Sequence, residues 1–486
     1  MQKILNKKSL FVFVFSAILL IAFSLRTYVW LHSAGLWADE GCVLQNILTR
    51  NFLHLFLPLD NIQCTPPLFL ILQKFVVQAF PFNKIAMRFL PYLASILSVI
   101  AFAFLTLKLF KNKMSILFSN FVFATHSDLL FFTQAYKQYS TDVLFSILIF
   151  IIGLALKAKK LSPAKWFAVG VFAIISILSS YISILLIAIL ICFYLLKMFK
   201  DKAFDKNFLA FIIPVGAFFI PYFLINCLPA IKNEGLQLYW HTQEAFFPVG
   251  VSVWGEMMNF LVGTKSCLVL CSILLIFGLF HFYNENKFAF EYFISVFVSS
   301  IVFALLSIYP LSPSRVSAFL IPYVIILISA FWTRFGTRKI ISALVIVFYM
   351  FCISYCETFD EVKYLTSQKV VFKQSNADLF IKYLYDTEVK PTDYIFVDFG
   401  SQVIFQQYDY EKRFKENQIF YNVSDFDFEK TMKLRKIGDE IFFFISDDYI
   451  ADDEYKTYKN QIDTKCKILL AKTSDDGTFL KCRVVR

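Results

Sequence analysis

Charge is what this chain has least of for its size. Only 17% of its 486 residues are Asp, Glu, Lys or Arg, against 58% hydrophobic and 19% aromatic, with a mean hydropathy of +0.62. A soluble core cannot bury that much apolar surface, so a polytopic membrane protein is expected. The first apolar run, Leu10 to Leu31, is long enough to cross about 30 Å of hydrocarbon at 1.5 Å per residue. It lacks a small-residue cleavage site, so it reads as a retained helix and not as a signal peptide. There is no clear internal repeat and no low-complexity linker. Residues 357 to 486 lack a Gly-rich phosphate loop, a metal-spaced His/Cys cluster and a nucleophile elbow, which removes the common catalytic motifs from that part. The basic residues are not gathered on one aromatic-studded face, so no nucleic acid partner is expected.

The charge that is present is sorted by position. Residues 357 to 486 hold 24 of the 36 acidic and 20 of the 47 basic residues, a net −4, which leaves +15 for the rest. Most of that excess marks the cytoplasmic side: Lys3/Lys7/Lys8, Lys108/Lys111/Lys113, Lys157/Lys159/Lys160/Lys165, Lys197/Lys200/Lys202/Lys206, Lys287 and Arg334/Arg338/Lys339 fit the positive-inside rule with a cytoplasmic N-terminus. The path that follows has about 11 transmembrane helices within residues 1–356, at 9–31, 84–108, 114–133, 143–157, 166–179, 181–197, 208–228, 258–281, 291–308, 316–333 and 340–356. A large external loop covers 32–83; its apolar stretch Pro66 to Phe80 is too short for a comfortable span and is expected to be juxtamembrane. A second external loop covers 229–257. Inner (plasma) membrane localisation is implied, with the C-terminal part outside the cytoplasm.

That C-terminal part, 357–486, alternates β-rich runs (Asp393 to Asp398, Glu440 to Ser446, Cys466 to Ala471) with helical stretches near 374–386, 426–437 and 450–462. An external α/β domain with a partly parallel sheet is the expectation. Cys42 and Cys64 share the first external loop. Cys466 and Cys482 lie eight residues either side of Ser474, which would place them opposite each other in a hairpin. Both pairs read equally as disulfides or as thiols.

Four separated segments reach the same outer boundary on this path, each with polar groups that a plain helix end does not need. They are Asp39/Glu40, Gln63-Cys64-Thr65-Pro66-Pro67, Gln134 through Asp142, and Ser312 through Arg315. Carboxylates at a membrane face cost solvation free energy unless water or a cation meets them. Two carboxylates facing Lys137 and Arg315 can move a group from an anionic donor to a hydroxyl: a carboxylate takes the proton and the cations hold the departing phosphate. Asp128, within the expected third helix, reads equally as an interhelical partner and as a catalytic group.

The order of these features resembles the GT-C glycosyltransferases: an acidic pair after helix 1, a Pro-Pro-Leu segment, Ala86-Met-Arg88-Phe-Leu-Pro91, Lys137-Gln-Tyr139, and a late Arg before an apolar helix with Pro322. The likeness covers roughly residues 10 to 335. It is similar to the branch with the protein O-mannosyltransferases and the aminoarabinose transferase that acts on lipid A. The resemblance implies transfer of a sugar, with inversion, from a polyprenyl-phosphate carrier to a hydroxyl on a lipid, glycan or protein acceptor. It implies Asp39 as general base or acceptor-orienting group with Glu40 as its support, Lys137, Tyr139 and Asp142 as lining of the active cavity, and Arg315 as ligand of the carrier phosphate; Lys137 is also read as a donor phosphate ligand, and Thr65 and Pro66 as cavity lining. Many members carry a charged or metal-binding residue just before the proline motif. Here Cys64 and Thr65 stand there, so no cofactor is certain; His241 and Glu40 remain candidates for a divalent metal. A transporter or flippase of a polyprenyl-linked glycan is the alternative, and a non-enzymatic assembly or sensor protein a third.

Overall fold

The computed structural model describes residues 7–33, 36, 38–80, 83–156, 161–202, 204–244, 251–263 and 268–335. Of the C-terminal part it describes 394–397, 419–421, 437, 440–445, 460, 462–464, 466–474 and 477–485. The chain falls into two compact units. The first comprises Met1–Leu31, Asn51–Phe75 and Arg88–Val362; the second comprises His32–Arg50, Val76–Met87 and Lys363–Arg486. The expected external loop 32–83 is thus divided between them.

The helices run in chain order α1 (Lys7–Leu31), α2 (Ala38–Thr49), α3 (Pro67–Ala79), α4 (Lys84–Met87), α5 (Phe89–Leu109), α6 (Lys113–Thr125), α7 (Ser127–Phe131), α8 (Tyr139–Leu156) and α9 (Pro163–Ser179). They continue as α10 (Ile182–Lys200), α11 (Leu209–Tyr222), α12 (Leu228–Ile231), α13 (Glu234–Tyr239), α14 (Val251–Val262), α15 (Leu268–Glu285), α16 (Lys287–Leu305), α17 (Ile321–Ser329) and α18 (Phe331–Phe335). Among the described residues seven segments are long and apolar enough to cross a membrane. The chain is therefore a multi-pass membrane protein. The shorter apolar helices Pro67–Ala79, Pro163–Ser179 and Val269–Glu285 account for further expected segments. The helix expected at 340–356 lies outside the described residues.

The expected helix 84–108 is split into α4 and α5, that at 316–333 is a 3-10 segment (Arg315–Leu320) followed by α17 and α18, and three others also differ. The stretch 114–133 breaks at His126, whose extended backbone (φ −65°, ψ 120°) ends α6 and starts α7. Arg26, wholly buried on α1, caps that break by donating to the Phe123 and Ala124 carbonyls at 3.0 and 3.1 Å and to Ser95 Oγ at 3.0 Å. A cation at a helix C-terminus meets both the orphan carbonyls and the negative end of the dipole. Asp128 consequently opens α7, 3.9 Å from His126 Nδ1, instead of standing within a continuous span. The expected helix 208–228 becomes α11, a π-helical turn at Phe223–Cys227 and α12. Pro221 and Pro229 remove backbone donors on either side of that turn, which favours the wider winding. The expected helix 258–281 is two helices, α14 and α15.

α17 is the centre of the first unit: every residue from Ile321 to Ser329 is buried, as a helix apolar on all sides must be. It packs on α15 so closely that a Cβ on Gly278 would lie 2.1 Å from the Leu327 carbonyl oxygen, so only glycine fits there. Beside it Phe150, Tyr292, Phe293 and Tyr323 form an aromatic cluster, and Tyr323 donates to the Ser146 carbonyl at 2.7 Å.

In the second unit β1 (Tyr394–Val397), β2 (Ile419–Tyr421), β3 (Glu440–Ile445), β4 (Cys466–Ser474) and β5 (Gly477–Val484) form one sheet in the order β2-β1-β3-β5-β4. β1 is parallel to β2 and β3, while β5 is antiparallel to β3 and β4, the partly parallel sheet read from the sequence. Consecutive Ile441, Phe442 and Phe443 are all buried, so both faces of β3 are covered. The expected helices at 374–386, 426–437 and 450–462 fall almost wholly outside the described residues. Cys466 and Cys482 are not opposite: Cys466 faces Val484 and Cys482 faces Ile468, and both are free thiols. The hairpin closes at Ser474 and Gly477 rather than turning about Ser474, and an irregularity between Ile468 and Leu470 takes back part of the resulting shift.

Candidate functional site

The proline motif of the first unit is held by side chains from three places in the chain. Asn61 and Ile62 both adopt left-handed backbone (φ 59° and 57°), a costly conformation for a β-branched residue, and turn the chain into the extended segment 63–66. Pro67 then starts α3, where its missing N–H is no loss. Lys137 Nζ donates to Gln63 Oε1 at 2.5 Å, and Gln138 Nε2 donates to the Cys64 carbonyl at 3.3 Å. The Tyr181 hydroxyl donates to Asn226 Oδ1 at 2.8 Å and lies 3.4 Å from the Thr65 carbonyl. Asn226, on the π turn, donates onward to the Phe56 carbonyl at 2.9 Å. The segment 56–66 is thereby fixed to the ends of α8, α10 and α11. Thr65 and Pro66 are buried at its centre.

Lys137 is 4% exposed, two residues before α8, and Tyr139 opens that helix at 6% exposed. Arg315 reaches the same tyrosine from the other end of the sequence. Its guanidinium stands 5.8 Å from the Tyr139 ring centroid and donates to Tyr239 Oη at 2.6 Å. Lys137 and Tyr139 thus stand at the start of α8, and Arg315 lies over the Tyr139 ring. Two cations beside the positive N-terminal end of α8 attract an anion such as a phosphate. Behind them a buried polar relay runs from Arg26 through Ser95 to Thr133, with the two hydroxyls 2.9 Å apart.

Asp142 is one turn into α8 and 7% exposed, with Ser180 beside it outside hydrogen-bonding geometry. Its Oδ1, Ser180 Oγ, Thr65 Oγ1, Gln138 Oε1 and both ends of Gln134 have no protein hydrogen-bond partner. Buried polar atoms are paired almost everywhere in proteins, so such a concentration marks a polar interior able to take a polar ligand. Cys64 lies near both Lys137 and Asp142. Burial pushes its thiol up to about 12, with Lys137 pulling the other way, so it is protonated at neutral pH.

Asp39 and Glu40 belong to the second unit, with Cys42. They form the first turn of α2, where carboxylates complement the helix dipole. Neither is a solvated loop acid: Asp39 is half-buried and Glu40 is 2% exposed. Glu40 lies on the stripe Glu40, Val43, Leu44 and Ile47, all buried at helical spacing. Lys137, Tyr139, Asp142, Arg315, Thr65, Pro66 and Cys64 are together in the first unit. His241, exposed on the π turn Trp240–Glu244, is in the first unit, whereas Glu40 is in the second. Among the described residues no group of three or more His, Cys, Asp or Glu could hold a metal ion.

This architecture is the GT-C fold, a multi-pass helical part carrying a small C-terminal sheet domain. The chain is similar to the crystal structure of ArnT from Cupriavidus metallidurans in the apo state, at 12% identity and TM-score 0.55 over 98% of each chain. It is equally similar to ArnT from that organism bound to undecaprenyl phosphate, at 11% identity and TM-score 0.57 over 97% of each chain. The oligosaccharyltransferase of Archaeoglobus fulgidus, in complex with zinc and sulfate, matches at 11% identity and TM-score 0.51 over 81% of this chain and 61% of that one. No protein-family model and no curated protein sequence matches. At such identities the shared property is the fold.

Sequence reading misses four residues that build this site. Gln63 and Gln138 are ordinary polar neighbours of the motifs until their bonds are seen. Asn226 leaves a signal, an amide inside an otherwise apolar helix, which has to find a partner. Tyr239, the partner of Arg315, leaves none.

Proposed function

We propose that the protein is an integral-membrane inverting glycosyltransferase that moves a sugar from a polyprenyl-phosphate carrier to an acceptor hydroxyl at the outer face of the membrane. The observation that carries this reading is the buried Lys137 just before α8, with Arg315 over the ring of Tyr139 that opens that helix. It occurs in a fold for which one solved structure is ArnT bound to undecaprenyl phosphate. Lys137 and Arg315 bind the donor phosphate and stabilise the charge it gains as a leaving group. The acceptor oxygen attacks the anomeric carbon as the bond from that carbon to the phosphate oxygen breaks. The acceptor proton passes to Asp39, with Glu40 supporting it, and the electron pair of the broken bond stays on the phosphate. One displacement inverts the anomeric configuration. Asp142, Thr65 and Tyr139 line the space in which the sugar is held. The protein sits in the inner (plasma) membrane with its N-terminus in the cytoplasm and its C-terminal domain outside.

Asp39→Asn is expected to abolish transfer and leave donor binding within about twofold, because the base acts on the acceptor and not on the carrier. Mass spectrometry of cell-envelope glycans and lipid-linked intermediates tests this. A missing sugar together with accumulated polyprenyl-phosphate sugar supports the reading; unchanged glycans with full turnover overturn it.

A further inference from the structure

The helices that carry the site end about 25 Å further along, at 1.5 Å per residue over α8, on a second feature of the first unit. A cavity of about 530 Å³ opens between α8, α10 and α16, within the range of about 300–1,000 Å³ typical of small-molecule sites. Its inner wall is apolar: Leu156, Leu190, Phe193 and Phe288. The three helices meet behind it at Gly153, where a Cβ would lie 2.7 Å from Leu190 Cδ2 and 2.9 Å from Phe288 Cζ. At the rim the chemistry changes to Lys197, Lys200 and Lys287, with Asp201 and Glu291.

The rim carries three cations against two carboxylates, and Glu291 is already paired with Lys287 at 3.9 Å. The next acid along the chain, Asp205, faces another way: it accepts from the Tyr194 hydroxyl at 2.6 Å and from Trp166 Nε1 at 3.3 Å. That bond also orients Tyr194, another wall of the cavity. Leu196 and Phe199 beside the rim are 54% and 83% exposed, a combination that suits contact with acyl chains and not with water. An apolar slot with a cationic mouth, at the end of membrane-spanning helices, matches a lipid with a charged head.

We propose that this cavity binds an anionic diacyl phospholipid, with its phosphate at Lys197, Lys200 and Lys287 and an acyl chain along Leu156, Leu190, Phe193 and Phe288. It is separate from the transfer site and does not depend on the activity proposed above.

Native mass spectrometry of the full-length protein, titrated with phosphatidylglycerol and separately with phosphatidylcholine, tests it. The expected result is one tightly retained phosphatidylglycerol and no equivalent phosphatidylcholine. In a variant combining Lys197→Gln, Lys200→Gln and Lys287→Gln, phosphatidylglycerol binding should weaken at least about tenfold. Leu190→Trp, which fills the slot with the lysines intact, should also remove the lipid. The lysine variant changes only exposed side chains, so its thermal midpoint serves as the folding control if Leu190→Trp does not fold. Equal retention by the lysine variant, or equal affinity for phosphatidylcholine, overturns the proposal. So does competition by inorganic phosphate at lipid-like concentrations, which would mean a headgroup-only anion site. Retention of undecaprenyl phosphate with no phosphatidylglycerol overturns it as well, since the slot would then belong to the carrier.

Discussion

The two ends of α8, α10 and α16 handle charge in opposite ways. At the end where α8 and α10 begin and Arg315 follows α16, polar side chains are buried or half-buried and bonded across the fold: Lys137 to Gln63, Tyr181 to Asn226, Arg315 to Tyr239. At the other end Lys197, Lys200 and Lys287 are exposed around a cavity. The difference separates two uses of a cation in a membrane protein. A lysine left in water orients the chain and meets headgroups at little cost, whereas a buried one is held by specific partners and is retained for what it binds.

That contrast can be broken most sharply at Arg26. Arg26→Leu removes the donors to Ser95 and to two α6 carbonyls, and is expected to cost about 3 kcal/mol. Lys108→Leu, at the opposite and solvated end, should stay within about 0.5 kcal/mol. Thermal unfolding in one detergent compares the two; equal losses would erase the distinction. Next, Lys137→Ala should weaken donor binding by about 10- to 100-fold, the worth of one or two charge-assisted hydrogen bonds. Isothermal titration with the polyprenyl-phosphate sugar measures it, and unchanged affinity would remove Lys137 from the phosphate site. A smaller effect is expected from Tyr181→Phe. It leaves Asn226 Oδ1 without its donor and loosens the segment 56–66, costing about 1–2 kcal/mol and exposing Cys64 to alkylating reagents. Unaltered labelling would mean that the clamp does not hold that segment.

The smallest effect belongs to the second unit. On β3, Glu440 accepts from Lys481 at 2.9 Å and Arg483 at 3.0 Å, and these hold its carboxyl below the usual range, Lys481 more strongly. A carboxylate depressed in the folded state adds stability above its unfolded pKa of about 4.3 and loses it as pH falls through the folded value. Glu440→Gln should therefore lower stability by under about 1 kcal/mol at neutral pH, with the difference vanishing in acid. A difference that grew as pH fell would reverse the sign and refute the pairing.

Much of this was legible in the chain. Apolar runs were enough to read a multi-pass helical membrane protein, because span length is a property of local sequence. The partly parallel sheet followed from β-rich runs alternating with helical stretches. The register of Cys466 and Cys482 did not, since a turn two residues away from Ser474 shifts every pair. The break at His126 was hidden too, because it is held by Arg26, a residue 97 or more positions away.

What the sequence determined by itself is the class of molecule and the order of its polar side chains: a multi-pass membrane protein with acids, a lysine and a late arginine in a fixed order. What only the tertiary structure decided is their company. It joined Arg315 to Tyr139, Gln63 to Lys137 and Asn226 to Tyr181, and it assigned Asp39 and Glu40 to a buried helix of the second unit. Hydropathy is additive along a chain and can be read from it, but a hydrogen bond between residues 74 or 76 positions apart exists only once the helices between them have packed.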